Sequence, residues 1–512
     1  MADLELELEL EAAEAPQTQT DDQAPESITR NTFFGAATQI TTAAFTAALT
    51  LYLVRALGPD DYGVFALAVS IGTVLMLASD FGVTGSAGRF IAELRGNPRG
   101  VTAVVSDSTL LKLAVVVPVC AGLFALAGPI ANAYGNQALV WPLRGMAFAV
   151  LGQSMFLLYR GVFVSLGRVS VTWRATLFES AIEASASIAL VLAGAGAAGA
   201  AFGRATGYLI GSVLAAALAV RLLGRDAVGT RSRGYMGKVA RYGSALLVVT
   251  VAFTLFEQVD VLLIGAIIST TAVGVFEAPM RLSTFLGYAG QAVAFGVAPR
   301  LARRKDEGPN VAAFAAATRY LTLLQGALLA PLLVWTTPIV DLALGSGYEG
   351  SVSVLRALTP FVFLAGLGTF ITLAVNYIGE ARRRIVLSIV TVALNAAIDL
   401  VLLPRIGVVG GAIGTDVAFA LYVAGHFWIC KQVMDLSLAP VAATFGRCLL
   451  AAAAMAGTLA LFGTSSLSWI DWIAGSIAGL VVYVLALLTN GELSRSELAR
   501  GRAAVAARLA SR

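Results

Sequence analysis

Two neighbouring apolar stretches of the sequence each carry a pair of ionisable residues. Glu257 and Asp260 lie three residues apart, and Glu277 and Arg281 lie four apart, so each pair shares one face if its stretch is helical. An ionisable side chain at the centre of a membrane helix costs about 2.5–3.5 kcal/mol and therefore needs a compensating role. A guanidinium can bind a phosphate through two parallel hydrogen bonds, and a buried carboxylate can hold a proton or a cation.

Two interpretations of these four residues stay open. In the first, Arg281 and Glu277 line a substrate cavity, while Glu257 and Asp260 are the candidates for ion coupling. In the second, a buried Asp260–Arg281 or Glu277–Arg281 ion pair holds two adjacent helices together. Asp260 lies eight residues before the end of its stretch, and Arg281 nine residues after the start of the next. At 1.5 Å per residue their depths in a membrane would agree.

Two further arginines, Arg89 and Arg300, are predicted to lie where spans two and eight end. They are candidate substrate-binding residues, because each can catch a phosphate at the mouth of a cavity. The alternative is that both anchor the chain at the membrane surface through anionic lipid. Other charges within apolar stretches, and the single histidine, are interpreted as structural pairing or packing residues: Arg144, Glu179, Glu183, Arg204, Asp399, Asp416 and His426.

The composition indicates a membrane protein. Of the 512 residues, 58% are hydrophobic and only 13% are charged, about half the share typical of a soluble domain. One histidine and three scattered cysteines exclude a zinc site built from these ligands and give no disulfide framework, so no metal is predicted. A net charge of +4 is too small to indicate nucleic-acid binding.

Apolar runs of about 20 residues, long enough to cross a bilayer, recur along the chain. We predict about fourteen transmembrane helices: 33–56, 62–83, 109–131, 138–160, 173–194, 197–222, 242–268, 272–298, 312–336, 352–379, 384–404, 408–431, 440–462 and 469–489. Arginines and lysines concentrate in alternate loops, which places both termini in the cytoplasm of a multi-pass protein of the plasma or inner membrane.

An internal repeat divides the chain. Gly63-Val64-Phe65 returns as Gly274-Val275-Phe276, and Arg89 returns as Arg300, both at an offset of 211 residues. Six predicted spans fit within one offset, which indicates two six-helix lobes related by a pseudo-twofold axis. The predicted organisation is an acidic disordered tail (1–30), an N-terminal lobe (31–223), a basic linker (224–241), a C-terminal lobe (242–431), two extra helices (432–489) and a basic tail (490–512).

The stretch VRALGPDDYGVFALAVSIGTVLMLASDFGVTGSAGRFIAE resembles the start of Wzx-type polysaccharide-biosynthesis flippases, which belong to the multidrug/oligosaccharidyl-lipid/polysaccharide exporter superfamily. The segment NYIGEARRRIVLSIVTVALNAAIDLVLLPRIGVVGGAIGTDVAFALY is similar to the second-half signature of that family. The resemblance implies an all-α fold of two lobes facing a central cavity, lined mainly by spans one, two, seven and eight. It also implies transport of a lipid-linked oligosaccharide between leaflets.

The leading hypothesis is a transporter, not an enzyme, that flips a glycan linked to polyprenyl or dolichyl phosphate during surface polysaccharide or O-antigen synthesis. Its expected partners are that lipid-linked oligosaccharide, the bilayer and neighbouring glycan polymerases or glycosyltransferases. A cation-coupled multidrug antiporter is the alternative, and a membrane-embedded glycan polymerase or ligase is a weaker one. No GxxxxGK[ST] motif occurs, so no cofactor is expected and an H⁺ or Na⁺ gradient is the candidate energy source.

Overall fold

We describe a computed structural model of the chain, which covers residues 27–227, 234–297, 310–378, 380, 383–497 and 499. Every regular element within these ranges is a helix, and they contain no strand. Arg300 lies outside the described residues, as do nearly all of the predicted N-terminal tail and most of the C-terminal tail. This confirms the all-α architecture predicted from the sequence. Its physical reason is that a long apolar stretch in a membrane can satisfy its backbone hydrogen-bonding groups only as a helix or in a closed barrel.

The helices are numbered here in chain order. The N-terminal lobe contains α1 (Ile28–Asp80), α2 (Val83–Glu93), α3 (Pro98–Ala133), α4 (Val140–Ser165), α5 (Val169–Leu192) and α6 (Gly196–Leu223). The C-terminal lobe contains α7 (Met236–Ile267), α8 (Thr270–Val297), α9 (Val311–Val334), α10 (Thr336–Ala343), α11 (Glu349–Ala357), α12 (Thr359–Tyr377), α13 (Arg383–Ile406) and α14 (Val408–Met434). Two more helices follow: α15 (Ala439–Ala460) and α16 (Trp469–Thr489).

Helix α1 comprises two predicted spans joined at a sharp break. Its 53 residues would extend about 80 Å as a straight helix, far more than the hydrocarbon thickness of about 30 Å. Gly58 has φ 65° and ψ 175°, a conformation open to glycine, and Pro59 follows it without a backbone N–H. The chain therefore reverses at Gly58, and the two arms of α1 can each cross the membrane.

Eleven helices within the described residues are long and apolar enough to span a bilayer. Counting the two arms of α1 separately and adding α7 and α8, which have 32 and 28 residues, would give fourteen. The chain is thus a multi-pass membrane protein, and the number fourteen stays a prediction. The structure differs locally from the predicted span 352–379. Two helices, α11 and α12, occupy this region and are separated by a turn at Leu358.

The two lobes pack against each other at both ends of the bundle, which we call the Gly58 face and the Asp80 face. At the Gly58 face, α1 and α8 approach until a Cβ placed on Gly63 would lie 1.9 Å from the Thr270 carbonyl oxygen. A Cβ on Gly274 would lie 2.0 Å from the carbonyl oxygen of Pro59. Gly63 and Gly274 are equivalent residues of the repeat, so the lobes meet here at matching positions.

Polar contacts reinforce the Gly58 face. The Thr271 hydroxyl donates to Asp60 Oδ1 at 2.5 Å, and the buried Tyr348 hydroxyl donates to the Val54 carbonyl at 3.0 Å. At the Asp80 face, a Cβ on Gly82 would lie 2.2 Å from the Gly243 carbonyl oxygen. The Tyr235 N–H there donates to Asp107 at 2.9 Å. The described residues therefore bring the lobes into contact at both faces.

Candidate functional site

A cavity of about 300 Å³ lies within the C-terminal lobe, between α7, α8, α12 and α14. The predicted site residues Glu257, Asp260, Glu277 and Arg281 all line it. Its remaining wall combines hydroxyl groups with aromatic rings: Thr284, Thr369, Thr372, Thr415, Phe256, Phe276, Phe361, Phe419 and Tyr422. The structure thus brings together four of the six site residues predicted from the sequence.

The position of this cavity differs from the expectation of a central space lined mainly by spans one, two, seven and eight. The described lining comes from α7, α8, α12 and α14, and α1 packs directly on α8 at the Gly58 face. Thr415, Phe419 and Tyr422 of α14, the predicted span twelve, also line the cavity, and they were not among the site residues predicted from the sequence.

Arg281 forms one of the two ion pairs that the sequence left open. Its Nη2 lies 2.6 Å from Glu277 Oε1, one helical turn earlier on α8. The Glu277 side chain is 7% exposed, whereas that of Arg281 is 37% exposed. The Tyr62 hydroxyl of α1 lies next to the same guanidinium, so Arg281 stands at the boundary of the two lobes. The guanidinium is therefore only partly covered by these contacts, and its remaining N–H groups can bind a ligand in the cavity.

Asp260 pairs with neutral groups instead of with Arg281. Its Oδ2 accepts a hydrogen bond from the Thr415 hydroxyl at 2.7 Å, and its Oδ1 accepts one from the Asn395 side-chain amide. Asn395 also donates to Asp399 Oδ2 at 3.4 Å, and the two carboxyl groups lie within hydrogen-bonding reach of each other. This four-residue cluster joins α7, α13 and α14, and the Asp260–Arg281 ion pair considered from the sequence is absent from it.

The chemistry of the cluster suits a proton or a hard monovalent cation. Asp260 is 4% exposed and Asp399 and Asn395 are fully buried, so two carboxylates would repel each other strongly in a medium of low dielectric constant. Asn395 Oδ1 and Asp399 Oδ1 are buried without a hydrogen-bond partner among the described residues. A Cβ on Gly414 would lie 2.2 Å from that Asp399 oxygen, so a glycine is needed to accommodate it. All the free ligand atoms are oxygens, the donors that hard cations prefer.

Glu257 and an aromatic wall form another side of the cavity. Glu257 is exposed to the cavity, unlike Asp260, which lies one turn further along α7. The rings of Phe256 and Phe419 stack with centroids 6.1 Å apart, and Phe419 stacks on Tyr422 at 5.8 Å. Apolar rings with a few placed polar groups are typical of small-molecule sites.

Arg89 lies away from this cavity. It is about half exposed at the Asp80 face, where its Nε donates to Glu93 at 2.8 Å and its guanidinium covers the Tyr242 ring of α7 at 4.4 Å. Arg89 therefore contacts both lobes and lies at the interface between them. Its role in substrate binding stays a prediction. The same holds for Arg300, which lies outside the described residues.

Two members of the Asp260 cluster were not predicted from the sequence, and a third was predicted in a different role. Asn395 and Thr415 are neutral residues in apolar spans and drew no attention, and Asp399 was assigned to structural pairing. One signal was available, because Asn395 and Asp399 lie four residues apart and share a helix face. Their meeting with Asp260 depends on how α13 packs against α7.

Comparison with known proteins agrees with this architecture. A probable low-salt glycan biosynthesis flippase of Haloferax volcanii is 24% identical over 446 residues, covering 84% of this chain and 89% of the relative. A putative O-antigen transporter of Escherichia coli K12 is 22% identical and covers 64% and 79%. The solved structure of the lipid II flippase MurJ in an inward closed conformation superposes with a TM-score of 0.70 at 14% identity, covering 89% of this chain and 97% of MurJ.

The likeness to MurJ concerns the fold and supports the polytopic two-lobe arrangement. A sequence model described as polysaccharide biosynthesis protein matches residues 52–353, more than half of the chain. That match begins two residues before the first quoted motif and ends in α11, so it covers both sides of the contact between Gly63 and Thr270 and the charged pairs of α7 and α8. The chain is therefore a member of the polysaccharide biosynthesis protein family.

Proposed function

We propose that this protein flips a lipid-linked oligosaccharide, carried on a polyprenyl or dolichyl phosphate, from one leaflet of the membrane to the other. Its family, and relatives named as a glycan biosynthesis flippase and an O-antigen transporter, support transport instead of bond-making chemistry. Arg281 is proposed to bind the phosphate, and the hydroxyl and aromatic groups of the cavity are proposed to contact sugar. The lipid tail stays among the helices.

The observation that carries this proposal is a largely apolar cavity that lies beside the two lobe contacts and presents hydroxyl groups and the Arg281 guanidinium together with three carboxyl groups. A volume of about 300 Å³ lies at the lower end of the range of about 300–1000 Å³ for small-molecule pockets, so it cannot hold a whole oligosaccharide. Substrate therefore has to enter when the lobes separate at one face and leave when they separate at the other. The matched glycines Gly63 and Gly274 mark the contact that has to open at the Gly58 face during such rocking.

Coupling to H⁺ or Na⁺ is proposed at the cluster of Asp260, Asn395, Asp399 and Thr415. A bound cation would remove the repulsion between the two carboxylates and would draw α7 toward α13 and α14. Since α7 lies beside the cavity and reaches the N-terminal lobe at Gly243, its position can affect the lobe contact. The cation acts here as a co-transported substrate.

We further propose that the Asp80 face lies in the cytoplasm. Arg89, Arg95, Arg99, Arg168 and Lys238 lie at this face, and positive charge resists translocation across the membrane. Both termini would then be cytoplasmic, and substrate would enter from the Asp80 face. The expected glycan polymerase and glycosyltransferase partners also stay proposals.

Deletion of the gene in its host tests the proposed function directly. The expected result is accumulation of a lipid-linked glycan in the cytoplasmic leaflet, where an added glycosidase cannot reach it in intact cells. Complementation by the wild-type chain restores its accessibility, whereas the charge-neutral double variant Glu277→Gln/Arg281→Gln does not. If no lipid-linked glycan accumulates in the deletion strain, the proposal is wrong.

One observation favours a second candidate, a cation-coupled multidrug antiporter. The cavity combines three carboxylates (Glu257, Asp260 and Glu277) with stacked aromatic rings, which suits an organic cation. Arg281 in the same wall opposes it, since it repels a cationic drug. Raised sensitivity of the deletion strain to cationic drugs, without glycan accumulation, would establish this alternative.

A further inference from the structure

A second cavity, of about 410 Å³, lies in the N-terminal lobe at the Asp80 face and is separate from the transport cavity. It is formed where four elements end or begin: the segment after α2, the start of α3, the turn between α4 and α5, and the end of α6. Its described lining is Arg95, Pro98, Val101, Thr102, Leu166, Arg168, Arg221, Leu222, Leu223 and Gly224. The α3–α6 side is held by a hydrogen bond from the Thr102 hydroxyl to the Leu223 carbonyl at 3.4 Å.

Three guanidinium groups line this cavity, and none of the described residues lining it is acidic. The Arg95 Nε is fixed by donating to the Ser165 carbonyl at 2.6 Å. Glu93, two residues earlier, is engaged by Arg89 and does not neutralise Arg95. Three positive charges around one space create a positive potential there, which favours binding of an anion.

Arg168 gives an independent sign that a ligand belongs here. It precedes α5, and its Nη2 is buried with no hydrogen-bond partner among the described residues. A buried guanidinium N–H without an acceptor costs free energy, because its bonds to water are lost and not replaced. A phosphate oxygen in the cavity becomes a fitting acceptor once the Arg168 side chain turns toward it, since arginine binds phosphate through two parallel charge-assisted hydrogen bonds.

We propose that this cavity binds a phosphate-bearing anion, the headgroup of an acidic phospholipid being its source in the membrane. Helices α4 and α6 end beside it and α3 begins there, so it lies at the level of the lipid headgroups. Basic pockets between transmembrane helices at the cytoplasmic surface are suited to acidic headgroups. The proposal is independent of the transport function, because none of the transport-cavity residues takes part.

The test uses the full-length chain purified in detergent and two probes, phosphatidylglycerol and inorganic phosphate. Phosphatidylglycerol retained per protein is counted by native mass spectrometry, and binding of phosphate is followed by thermal unfolding. The test variants are Arg221→Gln, which alters an exposed side chain and should not impair folding, and the double variant Arg168→Gln/Arg221→Gln. Arg99→Gln is the matched control, since Arg99 lies at the start of α3 but does not line the cavity.

Affinity for phosphatidylglycerol should fall about tenfold in Arg221→Gln and further in the double variant, and stay unchanged in Arg99→Gln. If inorganic phosphate alone shows the same pattern while the lipid does not, the anion site is supported and its source is a soluble phosphate. Equal binding by all variants, or an equal loss in Arg99→Gln, would mean that only general surface charge attracts the anion and would overturn the proposal.

Discussion

Among individual residues, Asp260 and Glu257 allow the sharpest comparison, because both are carboxylates on the same helix with different surroundings. Asp260 belongs to the buried cluster with Asn395 and Thr415, whereas Glu257 faces the open cavity. Substitution Asp260→Asn should abolish the dependence of transport on Na⁺ or on the pH gradient and lower its rate at least about tenfold. Glu257→Gln should retain that dependence.

The measurement is the rate of transport in vesicles with and without each gradient. Because asparagine has the same shape as aspartate, a lost dependence would reflect the removed charge and not a repacked helix. A variant Asp260→Asn that still responds to the gradient like wild type would remove the cluster from the coupling mechanism.

Arg281 needs a different design, because removing it leaves the buried Glu277 carboxylate without its partner. Leaving the buried Glu277 carboxylate without its partner costs at least about 1–3 kcal/mol of stability, so Arg281→Gln alone confounds folding with transport. The double variant Glu277→Gln/Arg281→Gln removes both charges and should regain most of the lost thermal stability. If Arg281 binds phosphate, the double variant stays at least about tenfold impaired in transport, since a charge-assisted hydrogen bond contributes about 1.5–3 kcal/mol.

The readouts for this pair are the unfolding temperature and the initial rate of transport of a lipid-linked oligosaccharide. Recovery of both in the double variant would assign Arg281 to helix packing, the second interpretation that the sequence allowed. Recovery of stability alone supports the substrate role.

Ionisable residues were predictable from the sequence because each one stands out in an apolar run. Glu277, Arg281, Glu257 and Asp260 were found in this way, and the structure places all four at one cavity. Neutral Asn395 and Thr415 were not found, because amides and hydroxyls are common in membrane spans and acquire a role only through their neighbours. Which acid faces Arg281 was also undecidable from spacing, since it depends on the rotation of α7 relative to α8.

At the scale of helices, the contact between α1 and α8 is the feature on which the conformation depends. Gly63→Ala should weaken it, because the new Cβ would lie 1.9 Å from the Thr270 carbonyl oxygen and the helices must move apart. Overpacking of this kind costs about 1–3 kcal/mol. Transport should slow, and a cysteine placed at the contact between α1 and α8 should become reactive toward a water-soluble maleimide.

Gly122→Ala is the matched control for this prediction, since a Cβ on Gly122 of α3 would meet nothing within 4 Å. It should leave transport unchanged and raise stability slightly, because alanine is the better helix former. If Gly63→Ala behaves like Gly122→Ala, the close approach of α1 and α8 has no part in the cycle.

Helix existence was largely predictable, whereas helix boundaries at the Gly58 face were not. The break at Gly58-Pro59 followed from the sequence, because proline and glycine interrupt helices there. The short helices α10 and α11 replaced a predicted loop and the start of a span, since their apolar residues are covered by the lobe interface. Val354 and Leu355, for example, are fully buried.

The two lobes share a fold but differ in chemistry at equivalent positions. In the later part of the repeat the offset is 212 residues, where Gly199-Ala200 returns as Gly411-Ala412, and at this offset Glu183 and Arg204 correspond to Asn395 and Asp416. In the N-terminal lobe these two form an ion pair of 2.9 Å between α5 and α6, so a fixed guanidinium occupies the region that corresponds to the Asp260 cluster. This asymmetry supports coupling through the C-terminal lobe.

Orientation in the membrane is a prediction about the whole molecule. A cysteine at exposed Ser465, at the Gly58 face, should react with an impermeant maleimide in intact cells, whereas one at Gly96 should react only after permeabilisation. The native cysteines Cys120, Cys430 and Cys448 are buried and should give little background. The opposite labelling pattern would invert the proposed orientation.

The most direct test of alternating access measures transport by a variant in which the Gly58 face can be closed by a disulfide cross-link. Asp60→Cys/Thr271→Cys places two thiols where a 2.5 Å hydrogen bond now joins the lobes. The protein is reconstituted into vesicles with a fluorescent lipid-linked oligosaccharide, and the fraction accessible to an external glycosidase is followed over time. We expect transport to stop under oxidation and to resume after reduction, with each single-cysteine variant unaffected. Unchanged transport in the oxidised, cross-linked protein would contradict the central claim that the lobes must separate at the Gly58 face to pass the glycan.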